Sequence, residues 1–513
     1  MRVTLVISLV LFSHLARAQM VEYLYLEKGE ELTHLKKIKL DISQIEDAKT
    51  YTHLVTSSSI FQENHRLQRR ASSNDTYANL QTYLKTINIE KVWDKYTGGL
   101  SRSGKEIIVA IVDDGIDTLH EDLKQNIYIN TGEVKWNGID DDGNGYIDDY
   151  YGWNGADSTA EVNSLYGGTH GTSIAGIIGA RGNNDTGITG INWNTKLLNL
   201  SSFGFKNIGG DYSVANCFEY ILTNKKLYNQ SNGSRGINTA IVSLSIGIEG
   251  EFPVDNPIWC AYLDSFALYG IMVSNAAPNS PKNIDIIGDI PSTCLSRNLI
   301  TVNNGNDKIA NNSAYGTTHV DIAADGLNVL TTAAPSKTSS LGPYNYVNGA
   351  SYSSPQVAGV MALILEAACN TFHQHLIDST EQAIELFREW ILTGDTLLAL
   401  KNYNAIGGRL NAYKVLLAMD KWCLRRDKTY NTKRVSSRNL QLFPNPASSG
   451  SLINFSIPHV YEAQLSIISH AGKVVFQGIL NQSQWKLPAL KSGVYLVLIQ
   501  QDQRLYHSKL LIL

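Results

Sequence analysis

Long hydrophobic runs are almost absent from this 513-residue chain. The apolar stretch from Val3 to Phe12 is well short of the ~20 residues a helix needs to span a bilayer, and no later segment qualifies. A transmembrane segment is therefore not expected. A strong charge of either sign is missing too: 43 Lys and Arg face 47 Asp and Glu, a net charge of −4, which argues against nucleic acid as a partner. Cysteine is scarce, with five residues, and in an exported chain that number allows up to two disulfides with one thiol left over. Cys260 with Cys294 and Cys369 with Cys423, leaving Cys217 free, is the pairing we expect among several that the sequence leaves open.

What is present begins with an address. Arg2, the short apolar stretch and Ala16-Arg17-Ala18 read as a secretory signal over residues 1–18 with an Ala-x-Ala cleavage site. Residues 19–72 form a charged, mixed segment that closes on Arg69-Arg70-Ala71-Ser72. Beyond it the length leaves room for one large α/β domain and one small β domain, and 41 glycines suit a loop-rich chain.

Three segments carry chemistry. Ile107 to Val112 is a continuous apolar run, as in a strand buried on both faces, and it delivers Asp113 at its C-terminal end. Gly168-Thr169-His170-Gly171 places a histidine at the entrance of a helix lined by small residues. Gly349-Ala350-Ser351 places a serine at the mouth of an apolar helix running on through Met361, Leu363 and Leu365. A helix start there aims unpaired backbone N–H groups at whatever the serine attacks. Asp, His and Ser follow in the chain order of the subtilisin triad.

With these segments the chain resembles the subtilisin-like serine peptidases over roughly residues 74–420. The resemblance implies an α/β fold, a parallel sheet flanked by helices, spanning residues 73–423. It implies a triad of Asp113, His170 and Ser351, with Asp114 after Asp113 as in the kexin-like branch. The strand Gly270 to Asn279 is similar to the one ending in the family's oxyanion asparagine, so Asn279 takes that role beside the Ser351 backbone N–H. Pro278 stands where the family usually has Gly, and Ala350 where it usually has Thr. Ile241 to Gly247 resembles the strand whose Ser245 and Gly247 bind an extended peptide substrate. The activity implied is hydrolysis of peptide bonds in extracellular proteins by a monomer; the contrasting expectation is a surface binding protein on the same scaffold.

Calcium is the cofactor implied. Arg181 to Gly190 resembles the glycine-punctuated loop that wraps a calcium ion in subtilisins, which implies Asp122 and Asn184 side chains as ligands with carbonyls of Gly182, Thr186 and Ile188. Separately, Asp140, Asp142 and Asn144 followed by Gly145 fit the first half of an EF-hand-type loop, although Tyr151 occupies the place of the closing Glu.

The flanking segments suggest a route. Residues 19–72 sit where many such enzymes carry a propeptide, with Arg69 and Arg70 as a candidate point of removal. Residues 424–439 are basic and polar and read as a linker. From Leu440 strand-like runs follow at Leu452–Ile457, Ala463–Ile468, Lys473–Phe476 and Tyr495–Ile499. Together with Leu490-Lys491-Ser492-Gly493-Val494-Tyr495, residues 440–513 resemble the C-terminal sorting domain of type IX secretion, a small β-sandwich. That implies the type IX machinery as a partner and a secreted or cell-surface product exported through the periplasm.

Overall fold

The computed structural model describes residues 5–7, 20–26, 35–41, 73–162, 168–204, 209–432, 438–455, 463–469, 474–480, 482–501 and 504–513. Residues 1–71 form one unit and residues 72–513 another. In the first, β1 (Leu5–Ile7), β2 (Met20–Leu26) and β3 (Leu35–Asp41) pair as an antiparallel sheet. Most of the expected signal, and the Arg69-Arg70 pair, lie outside the described residues.

The second unit is organised by one nine-stranded sheet. Its core strands are β4 (Ile108–Asp113), β5 (Gly152–Asn154), β6 (Lys196–Ser201), β7 (Thr239–Leu244), β9 (Met272–Ala276), β11 (Leu299–Asn304) and β12 (Ile322–Ala324), all mutually parallel. Two short strands complete the far edge, β16 (Gly408–Arg409) parallel to β12 and β15 (Asp395–Thr396) antiparallel to β16. Two antiparallel pairs stand apart from this sheet, β8 (Ile248–Glu249) with β10 (Asp289–Ile290) and β13 (Val329–Thr332) with β14 (Tyr344–Val347).

Helices cover the sheet because its strands have no polar face to leave in water. All six residues of β4 are buried. Ile108, Ala110 and Val112 join one core with α2 (Asp211–Gln230) and α3 (Pro257–Leu268). Since strand side chains alternate, Asp113 points to the other face. There α1 (Thr169–Gly179) and α4 (Ser354–Ala367) lie side by side. In α4 every residue but Glu366 is buried, which accounts for its apolar character on all sides. Parity along one strand thus aims Asp113 at the two helices that carry His170 and follow Ser351.

Both expected disulfides are formed, Cys260–Cys294 and Cys369–Cys423, and Cys217 is free and buried in α2. The second disulfide joins the start of α5 (Asn370–Asp378), which α6 (Thr380–Ile391) follows, to α7 (Ala412–Thr432). Within the segment expected as a linker, 424–439, α7 stays helical to Thr432. Its basic run contains no Gly or Pro to break the helix. Trp422 also anchors it, meeting Phe372 and Trp390 edge-to-face while Arg426 lies over its ring.

The C-terminal strands form two small sheets. One has β17 (Arg438–Asn439), β24 (Arg504–Ile512), β23 (Gly493–Gln501), β20 (Ala463–Ser469) and β21 (Val474–Leu480) in that spatial order. The other has β18 (Leu442–Phe443), β19 (Leu452–Phe455) and β22 (Gln484–Lys486). Leu442, Ile453, Leu465, Ile467, Val497 and Leu510 share one core between them. Among the described residues no single helix is long and apolar enough to cross a membrane.

Candidate active site

His170 sits in the first turn of α1, and its Nδ1 lies 2.8 and 2.9 Å from the two carboxylate oxygens of Asp113. Asp113 is 2% exposed, so this acid meets the imidazole out of reach of bulk water. Burial opposes charge on the ring, but the Asp113 charge and hydrogen bond outweigh it, and the His170 pKa is raised above the ordinary value. The bond also fixes the tautomer, with the proton on Nδ1 and the lone pair on Nε2. Asp114 does different work. Its carboxylate accepts from Gly171 N–H at 2.7 Å, His170 N–H at 3.1 Å and Thr169 Oγ1 at 3.2 Å. It therefore caps α1, whose own cap residue, Gly168, has no side chain to do so. Burial, aided by the Asp113 charge, pushes Asp114 up to about 6 against the pull of those donors.

Ser351 lies in the 3-10 turn Ala350–Tyr352 that leads into α4. Gly349 enters this turn at φ +144°, and a Cβ there would stand 3.1 Å from Asn279 Oδ1, so glycine is required on both counts. The ring of Tyr352, next to the serine, lies 5.4 Å from that of His170 between centroids, which brings the two helix starts to one place.

Asn279 follows β9 and is tied to the same turn. Its Oδ1 accepts from the Ala350 N–H at 2.8 Å, leaving the Nδ2 hydrogens as the donors the amide can offer. Neither Pro278 nor Ala350 disturbs this: the Ala350 backbone supplies the anchoring bond, and the Pro278 carbonyl accepts from Ala314 N–H. Asn279→Ala is expected to lower kcat by about 10²- to 10³-fold, the scale of the equivalent loss in subtilisin itself, with KM little changed. Steady-state kinetics on one peptide substrate checks it. Ser245 Oγ donates to the Ser351 carbonyl at 3.0 Å, so the segment after β7 runs beside the serine, and Gly247 follows it exposed.

The loop around Asp122 has donors suited to a hard cation. Asp122 is fully buried, and burial pushes its carboxyl up to about 7, with the Asp75 charge adding to the effect. Asn184 Nδ2 and the Ile188 N–H donate to it at 3.0 and 2.9 Å. Asp75, also buried, accepts from the N–H groups of Asn183 and Asn184. Two buried carboxylates that meet at the 181–190 loop from separate segments, Asp75 and Asp122, fit a calcium ion. Gly182 and Thr186 belong to the same loop, with Thr186 N–H donating to Asn184 Oδ1. Asp75 carries no motif and was missed in the sequence.

In the acidic loop the gathered carboxylates are Asp140, Asp142 and Glu133, which can offer ligand atoms within 4.8 Å of one another. Asn144 lies beside them, with its N–H donating to Asp142 Oδ1 at 2.9 Å and its Nδ2 3.4 Å from Asp142 Oδ2. Its Nδ2 donates to Asp149 at 2.9 Å and its Oδ1 accepts from Tyr146 N–H. Glu133 lies before the loop rather than at its end, so an EF-hand spacing could not find it.

Residues 104–393 match the model of the subtilase family, and residues 441–513 match that of a secretion system C-terminal sorting domain. The chain is 28% identical over 375 residues to Subtilisin-like protease 1 of Plasmodium berghei (strain Anka), covering 70% of this chain and 58% of that protein. It is 30% identical over 293 residues to an extracellular protease of Xanthomonas campestris pv. campestris, covering 55% of this chain and 47% of that protein. It thus spans about half the length of these relatives. A solved protease structure from Pseudoalteromonas arctica is 22% identical with a TM-score of 0.49, covering 68% of this chain and all of that one. A family match across more than half of the residues, taking in the Asp113–His170 pair and the turn that carries Ser351, means that this chain belongs to the subtilase family.

Proposed function

We propose that the protein is a secreted serine endopeptidase that hydrolyses extracellular proteins through Asp113, His170 and Ser351. The observation that carries this reading is the Asp113–His170 pair at the start of α1, packed beside the helix that Ser351 opens. Ser351 Oγ attacks the scissile carbonyl while His170 Nε2 takes its proton, and the proton is then given to the leaving amine. Asp113 holds the imidazole and stabilises its charged form. Asn279 Nδ2 and the Ser351 N–H receive the oxyanion, and water later frees the acyl group by the same proton route. An extended substrate lies along Ser245 to Gly247.

Residues 1–18 act as the export signal, residues 19–72 as a propeptide that keeps the enzyme a zymogen, and residues 440–513 as the address read by type IX secretion after passage through the periplasm. Calcium held by Asp122, Asp75 and Asn184, with carbonyls of Gly182, Thr186 and Ile188, would cross-link the loop against the start of the domain. Glu133, Asp140 and Asp142 form the candidate second site.

A fluorophosphonate probe tests the enzyme reading: the mature protein should be labelled at one residue, Ser351, and failure of folded, propeptide-free protein to react would remove the reading. For calcium, the expected result is a Tm that rises with the ion, since binding at 100 times Kd adds about 2.7 kcal/mol to stability. Chelation should reverse the rise. Asp122→Asn should abolish most of it, and a Tm indifferent to both would count against the site.

A further inference from the structure

This inference rests on the serine endopeptidase reading and extends it to the substrate residue that precedes the scissile bond. The segment Ser245 to Gly247 leaves the sheet beside the nucleophile, joined to it by the bond from Ser245 Oγ to the Ser351 carbonyl. Gly247 is exposed, and Asp289 lies directly behind it. A Cβ on Gly247 would stand 3.2 Å from Asp289 Oδ1 and 3.0 Å from the Ile290 carbonyl oxygen. The antiparallel pairing of β8 with β10 holds the two segments in register, with Glu249 opposite Asp289 and Ile248 opposite Ile290.

The state of the Asp289 carboxylate is unusual. The residue is 1% exposed. Oδ2 accepts from Ser292 Oγ, which in turn receives Asn275 Nδ2 at 3.0 Å. Oδ1 has no hydrogen-bond partner. Among the described residues no cation pairs with it, and Lys282 is engaged by Glu249 at 2.6 Å. Burial, with the Glu249 charge adding to it, accordingly raises the Asp289 pKa. A buried acid with one oxygen unanswered is costly to maintain. This one lies a single glycine below the surface along which an extended substrate would run, where a guanidinium or ammonium group could answer it with a charge-assisted hydrogen bond.

We propose that Asp289 forms the base of the pocket for the residue preceding the scissile bond, and that the enzyme selects Arg or Lys there. The absence of a side chain at Gly247 lets the substrate-binding segment pass this close to Asp289, and the Ser292–Asn275 chain holds the carboxylate in place behind it.

The test is digestion of a mixed peptide library by the full chain after maturation, with cleavage sites read by mass spectrometry, followed by kcat/KM on matched peptides carrying Arg, Lys or Leu at that position. The wild type should cut predominantly after Arg and Lys. Asp289→Asn should lower the ratio of kcat/KM for Arg over Leu by about 10²-fold or more, the scale of losing one partner of a buried charge pair. Asp289→Glu should keep basic residues ahead. A wild type that cleaves without enrichment for Arg or Lys overturns the inference while leaving the peptidase reading standing, and that result needs no variant to fold. An Arg-to-Leu ratio unmoved in Asp289→Asn overturns it as well. A wild type that neither cleaves any peptide nor reacts with the fluorophosphonate removes both.

Discussion

Ser351→Ala is expected to lower kcat by about 10⁶-fold, the scale set by the same substitution in subtilisin itself. The physical reason is that no neighbouring group can replace the lost nucleophile. Tyr352 is the adjacent side chain with an oxygen, and burial pushes its hydroxyl up to about 12, so it stays protonated near neutral pH. A residual rate above that in water should survive, because Asn279 and the backbone donors are anchored through Ala350 rather than through the Ser351 side chain. Peptide binding should also survive, since Ser245 bonds to the Ser351 carbonyl, which alanine retains. The measurement is kcat and KM on a fluorogenic peptide, with a thermal melt to show that the variant folds. Activity equal to wild type in a folded, mature Ser351→Ala protein would falsify the assignment.

Asp113→Asn should cost about 10⁴-fold in kcat, again on the scale known for this substitution in a serine protease triad. At 2.8 and 2.9 Å from Nδ1, the carboxylate presents acceptors to the imidazole proton. An amide can turn a donor there instead, and the ring then places its proton on Nε2, where it cannot act as a base. A second signature separates this from simple loss of folding. In the wild type the Asp113 charge holds the His170 pKa up against burial, so the acid limb of kcat/KM lies above the ordinary histidine range. Removing that charge leaves burial in control, and the limb should move to lower pH even as the plateau falls. Asp114 and Tyr352 are the other titratable groups at the ring; Asp114 also favours its charged form, so the limb moves only part of the way. A pH profile that keeps its wild-type midpoint would place the Asp113 charge outside the chemistry.

How much was legible beforehand depended on how local the information was. Asp113 could be placed because a run of β-branched and aliphatic residues ends on it, and a parallel strand presents its last residue at the edge where such folds do their chemistry. His170 and Ser351 each stand beside the glycine that starts their own turn, so neighbouring residues announce them. Asn279 closes the apolar run of β9 in the same manner. The helical course of α7 past Cys423 is not legible in its basic run, which lacks apolar periodicity, whereas a disulfide at Cys423 and an aromatic cluster at Trp422 hold the helix just before it. Strand β24 was missed for a related reason: Arg504 to Ile512 is a strand by virtue of pairing along the whole of β23, and its own composition is mixed.

The sequence by itself singled out Asp113, His170, Ser351 and Asn279 as candidates, and a subtilase segment followed by a sorting segment, because each rests on residues within a few positions of one another and on the period of a single strand or helix. Only the tertiary structure decided which acids accompany them. Asp114 became a helix cap when α1, more than fifty residues on, was laid against it. Asp75 met Asn183 and Asn184 across more than a hundred positions. Glu133 folded back over the acidic loop, and Asp289 was brought behind Gly247 by the pairing of two short strands forty residues apart. A carboxylate's role follows from which donors, charges and cavities surround it, and in each of these cases that surrounding comes from a segment distant in the chain.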